Sequence, residues 1–141
     1  MQDEMAIQRL INTYSQYGSL GDWDRAVDTY MPDGIWAIPH LGMRFAGHAA
    51  IRQALTDFFA TMDYVVQLNS PALIDVWGDT ATARSGISEN GKVAGKDEGF
   101  LYMGFYLDEL VRTAQGWKFT SRVFDGSGSS LYPLTSGTPH R

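Results

Sequence analysis

The sequence predicts an α+β fold, with helices in the first half of the chain and antiparallel strands in the second. Up to Met62, apolar residues recur with the period of amphipathic helices. After Met62 the period changes to two, and β-branched and aromatic residues alternate with polar ones between glycine-containing turns. A chain of 141 residues without cysteine is long enough to bury a core without disulfides or a structural metal.

Two helices are predicted near the N-terminus. The first spans Asp3 to about Ser19, and Asp3 is its expected N-cap. Its apolar stripe consists of Ile7, Leu10, Ile11 and Tyr14. After a glycine-containing break, Asp22 is expected to cap a short second helix, which ends before Pro32 because proline prevents its continuation.

A small hairpin and a third helix follow. Ile35 to Ile38 and Met43 to Ala46 are predicted strands that flank a turn at residues 39–42. The third helix is expected to begin near Gly47. One of its faces carries Ile51, Leu55, Phe58, Phe59 and Met62.

Four longer strand-like runs make up the rest of the domain. They are Tyr64 to Trp77, Thr80 to Glu89, Phe100 to Thr113, and Trp117 to Phe124. Gly78-Asp79, Asn90-Gly91 and residues 114–116 are the predicted hairpin turns or short loops between them.

The composition changes after the last predicted strand. Residues 126–141 consist mostly of glycine, serine, threonine and proline. We therefore expect a single domain over residues 1–125 and a Gly/Ser/Pro-rich C-terminal tail over residues 126–141. Disorder is one interpretation of this tail, and packing of Leu131, Tyr132 and Leu134 across a pocket mouth or a subunit interface is another.

Charge and composition exclude several classes of function. The formal net charge is −5, and the 11 Lys and Arg residues are spread singly, so a nucleic-acid partner is not expected. The absence of cysteine excludes thiolate metal sites and cysteine nucleophiles. The three histidines lack metal-ligand spacing and no phosphate-binding glycine loop occurs, so we expect neither a metal nor another cofactor. With no recognisable signal peptide or membrane-spanning stretch, the sequence predicts a cytoplasmic protein without a membrane partner.

The order of the elements and two short motifs resemble one superfamily. Gly21-Asp22-Trp23-Asp24 opens the second helix, and Gly116-Trp117-Lys118-Phe119 opens the last strand. Residues 3 to about 125 resemble the NTF2-like superfamily, and more narrowly its SnoaL-like branch. This branch includes scytalone dehydratase, bile-acid 7α-dehydratase, hexachlorocyclohexane dehydrochlorinase and relatives of ketosteroid isomerase. The resemblance implies a cone-shaped barrel of three N-terminal helices against a curved antiparallel sheet, and a homodimer formed through the outer face of that sheet.

The resemblance also implies candidate catalytic residues. In the dehydratase and dehydrochlorinase members, a histidine on the strand after the third helix acts as general base, and Gln67 stands at the matching position. Tyr14 matches a pocket-facing donor on the first helix. Glu89 matches an acid on the second long strand, although its place beside Asn90-Gly91 also allows a surface role. Burial of Glu89 among aromatic rings would raise its pKa toward the range useful for acid–base catalysis.

Two further charged residues are catalytic candidates. Arg122 matches an arginine that reaches into the pocket in dehydrochlorinase-like members, and a structural ion pair is the other interpretation. Asp108 shares the face of its strand with Tyr106 by the period of two. An aspartate on this strand serves as an acid in some relatives, while a solvated edge is the alternative.

The expected substrate-binding residues are Trp36, His40, Gln67, Asn69, Tyr102 and Tyr106. Trp36 and Tyr106 match pocket-facing positions in the relatives, and large rings with polar tips suit a flat or polycyclic apolar ligand. Gln67 and Asn69 share one face of their strand, where their amides would orient a ligand oxygen. His40 lies in the hairpin turn, where it would overhang the pocket mouth.

Two functions remain open at this point. The first is a cofactor-independent lyase or isomerase that acts by acid–base chemistry on a small hydrophobic, aromatic or polycyclic substrate. Retention of Tyr14 and Arg122 favours it. The second is a non-catalytic ligand-binding or accessory protein, which the replacement of the expected histidine by Gln67 favours.

Overall fold

Three helices pack against a seven-stranded sheet in the computed structural model, which describes residues 1–135. The helices are α1 (Gln2–Leu20), α2 (Trp23–Val27) and α3 (His48–Ala60). The strands are β1 (Tyr30–Ile38), β2 (Met43–Ala46), β3 (Met62–Asn69), β4 (Leu73–Trp77), β5 (Thr80–Val93), β6 (Glu98–Thr113) and β7 (Gly116–Pro133). A 3-10 helix, Pro39–Leu41, joins β1 to β2. The predicted α+β class with three helices is confirmed.

Helix α1 buries its apolar stripe, and a glycine ends it. Ile7 and Ile11 are fully buried against the sheet. Gly21 follows the helix with a φ of 75°, a left-handed conformation that glycine adopts without strain. The Asp22 side chain then accepts a hydrogen bond from the backbone N–H of Arg25 at 3.3 Å, which confirms the predicted cap of α2.

Asp3 does not cap α1, and this prediction is wrong. Met1 occupies the N-cap position, while Asp3 lies in the first turn. The Asp3 carboxylate accepts hydrogen bonds from the Arg112 guanidinium at 2.7 and 3.0 Å and from the Trp117 indole N–H at 3.2 Å. The hydrogen bond from Arg112 is the main reason that the pKa of Asp3 falls to about 2. Asp3 thus binds side chains of the sheet instead of a backbone amide of α1. These contacts connect the start of α1 to β6 and β7.

The strand order is β2-β1-β7-β6-β5-β3, and β4 pairs with the part of β5 that β3 leaves free. Strands β1 and β7 are parallel, and the other pairs are antiparallel. The predicted run from Tyr64 to Trp77 is divided between β3 and β4 at Pro71, which lacks the N–H that a continuous ladder requires. Register shifts at Met103/Gly104 and Glu109/Leu110 interrupt the ladder between β6 and β7, and irregularities of this kind bend a long strand.

The predicted turn at Asn90-Gly91 is also wrong, because both residues lie inside β5. Gly91 pairs with Val65 on one side and Phe100 on the other. A Cβ at this position would collide with the Phe100 ring and with a backbone oxygen of β3. The glycine is therefore required by close strand packing, and the connection to β6 lies at residues 94–97.

Part of the predicted tail continues the sheet. Residues 126–133 belong to β7 and pair with β6 in a ladder that runs to Glu98↔Pro133. Residues 136–141, the end of the predicted tail, lie outside the described residues. The second interpretation of the tail, packing at a pocket mouth, agrees with the position of Leu131 on the cavity wall.

The two faces of β6 differ as the period of two predicts. Tyr106 and Asp108 are buried, whereas Phe105 and Leu107 are nearly half exposed on the opposite face. The inner face carries the core together with α1 and α3. Within residues 1–135, the structure contains no helix of the length and hydropathy needed to cross a membrane.

Candidate active site

A cavity of about 290 Å³ lies between the helices and the inner face of the sheet. All three helices and five of the strands contribute to it. Nine aromatic residues line it: Tyr14, Trp23, Trp36, Phe58, Phe59, Phe100, Tyr102, Tyr106 and Phe124. A cavity of this size, with many rings and few polar groups, suits a small, flat and mostly apolar molecule.

A row of three polar side chains crosses the sheet on this wall. Gln67 on β3 pairs in register with Glu89 on β5, which pairs with Tyr102 on β6. All three side chains line the cavity. Because neighbouring strands lie about 4.8 Å apart, an amide, a carboxyl and a phenol follow one another at regular intervals.

Glu89 supplies the one carboxylate that lines the cavity within residues 1–135. It is partly buried, and it makes no hydrogen bond to another described residue. Because the surrounding rings exclude water, desolvation raises the pKa of Glu89 from 4.5 to about 7. The carboxyl therefore exchanges readily between its protonated and ionised forms near neutral pH, as a general acid or base must.

Tyr14 and Tyr106 form a fully buried part of the same wall. Their ring centroids are 6.3 Å apart in an edge-to-face arrangement, and Tyr30 packs behind Tyr14 at 5.9 Å. The Tyr14 hydroxyl has no partner within hydrogen-bonding distance, although the hydroxyls of Tyr106 and Tyr30 lie near enough to affect its pKa. Burial raises the pKa of Tyr14 and of Tyr106, so both phenols stay protonated and can donate to a ligand oxygen.

Arg122 and Asp108 form a buried ion pair beside the cavity rather than part of its wall. Nε and Nη2 of Arg122 donate to the two Asp108 carboxylate oxygens at 2.7 and 3.1 Å, and both side chains are 0% exposed. Burial raises the pKa of Asp108, against the effect of the arginine. Desolvation acts to lower the pKa of Arg122, but Asp108 and the neighbouring Tyr106 and Tyr30 together outweigh it, so the pKa is raised. Neither residue lines the cavity.

Asn69 likewise points to a structural partner. Its side-chain amide donates to the hydroxyl of Ser15 on α1, and it does not line the cavity. Gln67 and Asn69 share one strand face, but Asn69 contacts α1 and Gln67 lines the cavity.

His40 lines the cavity at its solvent-exposed edge. Its ring is exposed to solvent and packs against Phe124, with centroids 6.0 Å apart. Gly126 on β7 gives the ring its space, because a Cβ there would lie 2.5 Å from the imidazole.

Besides the Tyr14 hydroxyl, two buried polar atoms on the cavity wall lack a partner. They are Nε1 of Trp36 and Oε1 of Gln67. An unpaired buried donor or acceptor is destabilising, and a ligand that supplies the missing hydrogen bond recovers this energy. The Gln67 side chain packs beside Gly18 of α1, where a Cβ would make ordinary van der Waals contact with Nε2 at 3.7 Å.

Most of the lining residues were not among the predicted site residues, and Trp23, Phe100, Phe124 and Leu131 are four of these. Phe124 could have been predicted, because the period of two places it on the same strand face as Arg122. Leu131 lies in a segment without strand periodicity, so the sequence gives no such signal. Among residues 1–135, no three His, Asp or Glu side chains are grouped closely enough to hold a metal ion.

Known proteins share this architecture. The family model for the SnoaL-like domain matches residues 1–123. The structure of a Novosphingobium aromaticivorans protein with the provisional name aromatic ring hydroxylase is 27% identical, with a TM-score of 0.86 over 93% of this chain and 94% of that one. A second protein of that organism, provisionally named scytalone dehydratase, is 20% identical, with a TM-score of 0.84 over 99% and 97% of the two chains. Hexachlorocyclohexane dehydrochlorinase type 3 of Novosphingobium barchaimii is 14% identical, with a TM-score of 0.84 over 96% and 93%. The chain thus belongs to the SnoaL-like domain family, within the NTF2-like superfamily.

Proposed function

We propose that the protein is a cofactor-independent lyase or isomerase that moves a proton on a small, mostly apolar ring compound bearing a carbonyl group. One observation carries this proposal: Glu89, whose pKa is about 7, lies on the wall of an aromatic cavity that also holds the hydroxyls of Tyr14 and Tyr106. A base and oxyanion donors in one mostly apolar cavity are the groups that enolate chemistry requires.

In the proposed reaction, ionised Glu89 removes a proton from the carbon next to the carbonyl. The electron pair of the broken C–H bond forms the enolate, and its negative oxygen accepts hydrogen bonds from Tyr14 and Tyr106. An isomerase returns the proton from Glu89 to another carbon of the enolate. A lyase gives it to a β-hydroxyl group, which leaves as water while the C=C bond forms, and Glu89 is ionised again.

The substrate class follows from the shape and polarity of the cavity. The aromatic wall favours a flat ring system, which agrees with the aromatic chemistry in the provisional name of the 27%-identical neighbour. Gln67 and Trp36 each keep an unpaired buried polar atom for a ligand group. In this binding mode, the polar groups of the ligand lie over the row of polar side chains that includes Glu89 and Tyr102.

The test is deuterium exchange at the α-carbon of 2-tetralone, a flat bicyclic ketone, followed by NMR in D₂O. This exchange needs only the base and the oxyanion donors, so it does not depend on knowing the natural substrate. We expect the protein to accelerate the exchange and Glu89→Gln to slow the catalysed rate by about 100-fold or more. Glu109→Gln is the matched control, because this glutamate is exposed and lies away from the cavity. An equal rate for the protein and Glu89→Gln contradicts the proposal.

A second candidate function is ligand binding without catalysis. Gln67 favours it. The dehydratase and dehydrochlorinase members of the SnoaL-like branch have a basic histidine at this position, and the amide of Gln67 cannot take a proton near neutral pH. In that case 2-tetralone binds, Glu89→Gln and Tyr14→Phe change its affinity no more than a few-fold, and no exchange is catalysed.

We also propose that the outer face of the sheet binds a second copy of the chain. Contiguous exposed apolar side chains cover this face: Val66, Leu68, Leu73, Trp77, Met103, Phe105 and Leu107. Arg84 extends over the Phe105 ring, 5.8 Å from its centroid. An apolar area of this extent, bordered by charged groups, is typical of a protein–protein interface.

A further inference from the structure

The guanidinium of Arg122 lies against three aromatic rings in the core. Its central carbon is 3.8 Å from the Tyr106 ring centroid, 4.3 Å from that of Phe119 and 4.8 Å from that of Tyr14. Asp108 holds the guanidinium on another side through Nε and Nη2. Nη1 is buried without a hydrogen-bond partner, so part of the cation is left to interact with the rings.

Stability alone does not account for this arrangement. A fully buried ion pair loses much of its attraction to the loss of hydration, and apolar residues of similar volume often serve a core equally well. Two of the three rings around Arg122 belong to the cavity wall, and both carry hydroxyls. The buried charge is therefore one residue layer away from the place where a ligand oxygen would lie.

A cation close to a phenol ring stabilises the electron density that the ring gains when its O–H donates strongly. The effect is present here: burial raises the pKa of Tyr14, and Arg122 acts against this rise. Because Arg122 is 0% exposed and does not line the cavity, it touches no ligand directly, and the rings of Tyr14 and Tyr106 lie between it and the cavity.

We propose that Arg122 is a positioning residue that, held by Asp108, strengthens the hydroxyls of Tyr14 and Tyr106 as hydrogen-bond donors to a negatively charged ligand oxygen. This subsite takes an enolate or phenolate oxygen on a flat ring. The inference rests on the proposed function only in placing a ligand oxygen at the two phenols.

The test compares two probes by isothermal titration calorimetry: a nitronaphthol that is ionised at neutral pH, and the nitronaphthalene that lacks its oxygen. The proteins compared, with and without the further substitutions, all carry Glu89→Gln, which removes the titrating carboxyl from the cavity. We expect the double substitution Asp108→Leu with Arg122→Met to lower the affinity for the naphtholate about ten-fold. The affinity for the nitronaphthalene should change by no more than about two-fold. Arg112→Met is the matched control, because Arg112 also lies over a ring, 4.6 Å from Trp117, away from the cavity; it should change neither affinity.

Weakening of both probes to the same extent would assign the pair a purely structural role and overturn the inference, as would no weakening of either. If the double variant does not fold, Tyr14→Phe with Tyr106→Phe keeps all the rings and removes both donors. The preference for the naphtholate must then vanish, and its persistence overturns the inference. Absence of α-carbon exchange alongside this preference refutes the proposed function alone.

Discussion

Glu89 should make the stability of the protein fall as the pH rises through neutrality. The folded pKa of Glu89 is about 7 against a reference value of 4.5. Between these values the folded protein holds a proton that the unfolded chain has released, so rising pH favours unfolding. The shift corresponds to at most about 3 kcal/mol, and about 1–3 kcal/mol is expected because the side chain is only partly buried.

Urea unfolding followed by tryptophan fluorescence at a series of pH values measures this effect. The quantity to compare is the free energy of unfolding of the protein minus that of Glu89→Gln, because other titrating groups cancel in the difference. This difference should be constant below about pH 4.5, fall until just above pH 7 and then stay constant. For Glu109→Gln, the corresponding difference in the free energy of unfolding should not change with pH. A flat difference for Glu89→Gln as well would mean that Glu89 is solvated, and it would refute the reasoning that makes it the base.

Three other predictions concern the core, two close contacts and the outer face. Arg122→Met leaves its buried carboxylate partner unpaired and should cost about 3–5 kcal/mol in urea unfolding; a loss below about 1 kcal/mol would contradict the buried pair. Gly104→Ala should be destabilising by more than about 2 kcal/mol, because its Cβ meets a backbone oxygen. Gly126→Ala should be destabilising by less than about 1 kcal/mol, because its Cβ meets only the movable ring of His40; equal losses would contradict this distinction. Leu107→Glu should convert a dimer to a monomer in light scattering, and an unchanged mass would exclude this face as the interface.

Local signals predicted the elements that local interactions determine. Asp22 caps α2 because its side chain reaches an amide three residues on, which the sequence alone specifies. The prediction failed at Asn90-Gly91, where the same dipeptide that favours a hairpin turn is needed for close packing against Phe100. It also failed at Asp3, whose partner Arg112 is distant in sequence. Tertiary contacts outweighed the local preference at both places.

The candidate site could be predicted as a set of strand faces but not as a set of contacts. The resemblance to the SnoaL-like branch implies inward positions for Glu89 and Tyr106, and both residues line the cavity; the period of two extends the inward direction along each strand. It gives the same inward direction to Asp108, whose carboxylate instead meets Arg122. Whether an inward charged group meets a cavity or a partner depends on the register of neighbouring strands, here Asp108↔Arg122, which one sequence does not specify.

The pH profile of α-carbon exchange in 2-tetralone tests the central claim, that Glu89 is the base in this cavity, most directly. The account predicts that the catalysed rate rises as Glu89 ionises, with a midpoint near its pKa of about 7, and that Glu89→Gln removes this rise. A midpoint near 4.5 would show that Glu89 ionises as a solvated carboxyl, and a profile that Glu89→Gln leaves unchanged would show that another group moves the proton; either result contradicts the account.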